Sequence, residues 1–146
     1  MQILTALYLA AAVSLPAHAV HQRQPAVPTA LQEPLAAIVR IATGLQAERV
    51  CNRLSANAQA DMTTQLKLAV QTLHTRMVNA KIPASKSQRI LTRLMNEGEK
   101  LAKSNYPTCT NSAPDIIVKA TQDAACINQY LANTNKMCFH KQENLK

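Results

Sequence analysis

The sequence predicts an all-α fold, a small four-helix up-down bundle held by two disulfides. Three observations predict it. Apolar residues recur at three-and-four spacing in successive segments from residue 29 onward, which is the period of an amphipathic helix. Only two glycines occur, and no run of β-branched and aromatic residues alternates with period two. All four cysteines follow an apolar leader, and an even count in an exported chain favours paired disulfides.

Residues 1–19 read as a cleavable signal peptide. Met1 to Leu15 carries no charged side chain, Pro16 breaks the run, and Ala17-His18-Ala19 matches the small-x-small pattern of a cleavage site. The run is shorter than the about 20 apolar residues that span a bilayer, which favours export over a short membrane anchor. It holds no Lys or Arg, so the amino terminus alone supplies positive charge there. The mature chain is therefore expected to be secreted or periplasmic. Residues 20–28, with Pro25 and Pro28, read as a disordered leader. Residues 29–140 form the helical domain, and 141–146 a polar tail.

Thr29 with Gln32 makes a capping box for the first helix, with Pro34 in its first turn. Leu35, Ile38, Ala42 and Leu45 share one face. Gly44 interrupts the pattern, and Val50 and Leu54 lie about 140° away, so the helix is expected to kink or stop at Gly44. The second stripe is Met62, Leu66, Ala69, Leu73, Met77 and Ala80. It extends backwards through Ala58 and Leu54, so one long second helix over 46–80 is an alternative to a break at Ser55–Asn57. The break is preferred, because Ser and Asn side chains compete for backbone hydrogen bonds. Pro83 ends this segment, and Ser85 with Gln88 makes another capping box. Leu91, Leu94, Met95, Gly98, Leu101 and Ala102 form the inner face of the third helix, which runs to about Ser104. A loop follows to Pro114. Ser112 caps the fourth helix, with Pro114 and Asp115 in its first turn. Its inner face is Ile117, Ala120, Ala124, Ile127 and Leu131, and Asn133–Asn135 ends it. Short connections favour antiparallel neighbours.

The same topology constrains the disulfides. In an up-down bundle Cys51 and Cys109 fall at one end. A continuous helix would hold Cys126 and Cys138 about 18 Å apart, beyond disulfide reach; a reversal near Asn133–Asn135 brings them together. Cys51–Cys109 and Cys126–Cys138 are the expected pairs. Zinc is disfavoured, because no two cysteines stand as close as the pairs of zinc motifs.

The formal net charge is +8. Its best-defined expression is on the third helix, where Lys86, Arg89, Arg93, Lys100 and Lys103 fall within about a third of a turn. Glu97 lies among them and can pair with Arg93. Such a stripe is either a solvated face or an electrostatic dock for an acidic protein, an anionic membrane surface or a polyanion. Nucleic acid is disfavoured, since no aromatic side chain interleaves with the charges. Arg49 and Arg53, offset by Glu48, read as ordinary surface.

Nothing in the sequence marks an enzyme. There is no G-x-S-x-G elbow, H-E-x-x-H helix or phosphate-cradling glycine loop. His21 is in the leader, His140 is near the end, and His74 sits beside core Leu73 as a packed side chain. Glu97 and Glu99 diverge on a helix and make no carboxylate dyad. No catalytic residue, metal site or cofactor is expected. In outline the chain resembles a secreted helical cytokine, with Leu31–Asn52 similar to a first cytokine helix, but its links near Ser55–Asp61 and Ile82–Ser85 are shorter than the overhand connections of that family. The expected function is that of an exported, disulfide-stapled binding protein, of effector, inhibitor or immunity type, acting through the basic helical surface. The alternatives are a carrier of a small apolar ligand or lipid, and a basic membrane-active protein.

Overall fold

The structure, a computed structural model, describes residues 25–110 and 112–133. Among them it is all-helical, with four helices: α1 Thr29–Cys51, α2 Ala56–Asn79, α3 Ala84–Asn105 and α4 Ala113–Ala132. The signal peptide, Cys138, His140 and the polar tail lie outside the described residues. Of the expected leader, residues 25–28 carry no helix, and Val27 packs against the core.

α1 does not break at Gly44, as the sequence suggested it would. The glycine is buried in the middle of a continuous helix. A Cβ at Gly44 would lie 2.1 Å from the Ala120 Cβ of α4, so the residue serves close packing. The helix begins after Pro28, whose φ of −54° and ψ of 140° lead into Thr29 with no side-chain cap. The Thr29–Gln32 capping box is therefore not used, and Pro34 stands inside the helix, beyond its first turn. Asn52, in the left-handed region at φ 49°, stops α1 and donates its N–H to the Glu48 carbonyl. Ser55 then caps α2, its Oγ accepting the Ala58 N–H at 3.2 Å. The break between α1 and α2 thus falls at Asn52–Ser55, beside the expected place, and the long 46–80 helix does not form.

α2 buries Met62, Leu66, Ala69, Leu73 and Met77, as its stripe predicted. α3 begins after Pro83 with no side-chain cap. It buries Ser87, Leu91, Gly98 and Ala102, while Leu94 and Met95 are half-buried and Leu101 is exposed. The buried arc centres between Leu91 and Gly98, and Leu101 falls about 70° to one side of it. α4 buries all five expected positions, Ile117, Ala120, Ala124, Ile127 and Leu131.

The core lies along α1, which packs most extensively on α4 and α3. Gly44 meets Ala120 and Arg40 meets Asp123, so α1 and α4 run antiparallel. Gly98 meets Val39, Ala42 and Thr43, and the Cys51–Cys109 bridge joins the end of α1 to the segment after α3, so α3 lies beside α1 in the same direction. α2 also touches α1, α3 and α4, and Gln65 bonds Asn128 across the α2–α4 seam. Among the described residues α3 and α4 make no contact with each other. This is not a ring in which each helix packs chiefly on its sequence neighbours. The closest pairings join α1 to α3 and α4, because small residues on both sides of those seams let the backbones approach.

Cys51 and Cys109 form a disulfide with Cα atoms 4.9 Å apart, fastening the end of α1 to the segment after α3. The structure thus gives one of the two expected bridges. No described cysteine is a free thiol, and the expected partner of Cys126, Cys138, lies outside the described residues.

Candidate functional site

Two surfaces stand out, both involving α3. The first is its outer face. Lys86 is half-buried, and Arg89, Arg93, Lys100 and Lys103 are exposed. Two shallow depressions follow one another along this face. One is lined by Ser85, Gln88, Arg89, Thr92, Arg93 and Asn96, and the next by Arg93, Asn96, Glu97, Lys100, Leu101 and Ser104. Arg93 belongs to both. The pairing expected between Arg93 and Glu97 is not formed: the described ion pairs both centre on Arg40, which bonds Asp123 at 2.6 Å and Glu33 at 3.4 Å. Arg93 and Glu97 therefore do not neutralise each other. Exposed Leu101, expected in the core, instead sets an apolar side chain beside Lys100 in the second depression.

The second surface is a cleft of about 640 Å³ where α1, α2 and α3 diverge. Ala42 and Leu45 of α1, Leu66 and Val70 of α2, and Met95 of α3 supply apolar walls. Glu48 and Glu99 line it too, with Arg49 and Lys67. Glu48 read as surface in the sequence, yet it is only 1% exposed. Its Oε1 accepts the Leu54 N–H at 2.7 Å and the Gln59 side-chain amide at 3.0 Å. Its Oε2 is buried and has no hydrogen-bond partner. The signal that could have found it is position: Glu48 follows Ile41 by one heptad, so the two share a face to within about 20°.

His74 is half-buried, and its Nδ1 lies 2.9 Å from Ser87 Oγ. A His–Ser pair has the outline of a nucleophile and its base. Here Ser87 is fully enclosed at 0% exposure, so the pair joins α2 to α3 instead of facing a substrate. Among the described residues no group of three or more His, Cys, Asp and Glu could hold a metal ion, and no helix is long and apolar enough to cross a membrane.

Compared with protein-family models, with curated proteins and with solved structures, the chain matches none of them.

Proposed function

We propose that this is an exported binding protein that docks the outer face of α3 onto an acidic protein partner. The observation that carries the reading is the exposure of Arg89, Arg93, Lys100 and Lys103 along one helix that α4 does not cover. Like charges on one rigid element steer an oppositely charged partner and fix its register. The chain's overall charge of +8 adds to that field. Leu101, exposed within the same depression, offers an apolar contact for the centre of such an interface. A basic helix with an apolar neighbour also suits an anionic membrane, but a membrane-seeking helix needs a continuous apolar face, and α3 spends that face on the core.

Export and the second bridge belong to the same reading. The leader would deliver the chain to an oxidising compartment, where Cys51–Cys109 is joined by Cys126–Cys138 and the four helices form an up-down bundle.

The test is capture from the native extracellular or periplasmic fraction on immobilised protein, comparing the wild type with the triple variant Arg89→Glu, Arg93→Glu, Lys100→Glu. The expected result is an acidic protein retained by the wild type, released by raised salt and lost from the variant. Equal capture by both chains at low salt overturns the reading. Co-sedimentation with phosphatidylserine vesicles, with no protein retained, overturns it in favour of a membrane.

A further inference from the structure

We infer that the cleft between α1, α2 and α3 binds a small organic cation with an apolar body, an alkylamine in chemical class. This goes beyond the docking reading and uses the other flank of α3. The first observation is Glu48. Its carboxylate is held by two donors at Oε1, the Leu54 N–H at 2.7 Å and the Gln59 amide at 3.0 Å, while Oε2 is buried and unpaired. Native proteins rarely leave a buried carboxylate oxygen without a donor, because desolvating a charge without pairing it is costly. The second observation is the cleft that Glu48 lines. Its volume of about 640 Å³ lies within the roughly 300–1,000 Å³ of small-molecule sites.

The charges and the lining select the ligand class. Glu48 is buried and Glu99, on the α3 wall, is half-buried, whereas the cleft's two cationic side chains, Arg49 and Lys67, are exposed. In a chain of net charge +8, the enclosed charges of this one cleft are both carboxylates. An ammonium group that reaches Oε2, which the chain shields from solvent, supplies its missing donor and a compensating charge, and the charge-assisted bond is stronger than a neutral one. The walls of Leu45, Leu66, Val70 and Met95 accept an alkyl chain, and a methionine adapts to its shape. A fatty acid of equal length would set its carboxylate against the two enclosed carboxylates and find its cations, Arg49 and Lys67, only at the exposed rim, so it is expected to bind more weakly.

The test uses the full oxidised chain and three probes of equal length, n-octylamine, octanol and octanoate, followed by amide shifts and calorimetry. Octylamine should move the amides of Leu66, Val70 and Met95, with octanol and octanoate weaker. Glu48→Gln keeps an acceptor for the Leu54 N–H and should weaken octylamine by about tenfold or more. Val70→Phe fills the cleft without touching the carboxylate and should block the probe even where Glu48→Gln perturbs the fold. The α3 triple variant should bind octylamine like the wild type, so failure of this site and failure of the docking surface are distinguishable. The inference is overturned if octanol or octanoate matches octylamine, if the two cleft variants bind it unchanged, or if it moves none of these amides.

Discussion

At Gly44 and Gly98 an absent side chain decides how closely α1 approaches its neighbours. A Cβ on Gly44 would meet the Ala120 Cβ at 2.1 Å, and one on Gly98 would meet the Val39 carbonyl at 2.6 Å and the Ala42 Cβ at 2.7 Å. On an exposed helix a Gly→Ala change gains about 1 kcal/mol of propensity. Here overpacking should reverse the sign, with Gly44→Ala and Gly98→Ala each losing about 1–3 kcal/mol. Urea unfolding checks this. Ala120→Gly should recover part of the loss in Gly44→Ala but only destabilise the wild type, so the double-mutant cycle should show coupling of the two sites. These residues also show what the sequence hid. Gly44 read as a break because local propensity is all that a single chain displays; its actual role depends on the α4 residue that crosses it. Glu48 was hidden for a related reason. Its charge suggested surface, although its heptad relation to Ile41 placed it on the inner face, and the residues that bond it come from the next loop and helix.

The helices themselves were legible as elements. The three-and-four spacing located α2 and α4 with every expected core position buried apart from half-buried Ala80. α1 and α3 start within a residue of the expected places, but the capping boxes of Thr29 and Ser85 are not used, because Pro28 and Pro83, with φ fixed near −54°, already deliver the chain into the first turn. The end of α2 carries a different cost. Lys81 stands at φ 68°, its N–H bonded to the Val78 carbonyl at 2.9 Å, while the Ile82 N–H returns to Met77 at 3.0 Å. That left-handed position suits glycine and costs a residue with a Cβ about 1–2 kcal/mol. Lys81 is exposed, so Lys81→Gly should stabilise the protein by about 1 kcal/mol in the same unfolding assay, the gain being trimmed by glycine's greater freedom in the unfolded chain. Of the basic stripe of α3, Arg89, Arg93, Lys100 and Lys103 are exposed as their spacing suggested, while Lys86 is half-buried; the cleft on its other flank was not legible, because it is lined by three helices.

For the whole molecule, the sequence left open which helices would be neighbours. Short links tell how successive helices reverse, but small residues at the seams decide which ones touch, and these drew α1 against both α3 and α4. The Cys51–Cys109 pairing was anticipated because both ends of the bridge had to fall at the same end of the bundle. It closes a loop of 58 residues that contains all of α2 and α3. In the chain-entropy account a loop of that length contributes about 4 kcal/mol. The double variant Cys51→Ser, Cys109→Ser should therefore lower the thermal midpoint markedly in a calorimetric scan, with its helical content retained at low temperature.

Because α3 and α4 do not pack directly on each other, loss of the bridge at the end of α3 is expected to loosen α3 before α4, although both still rest on α1 and α2. Deuterium uptake should expose this order. In the doubly serine-substituted chain the amides near Lys103 should lose protection well before those around Ala124, as though one wing of the molecule had been unlatched while its opposite number stayed folded against the spine.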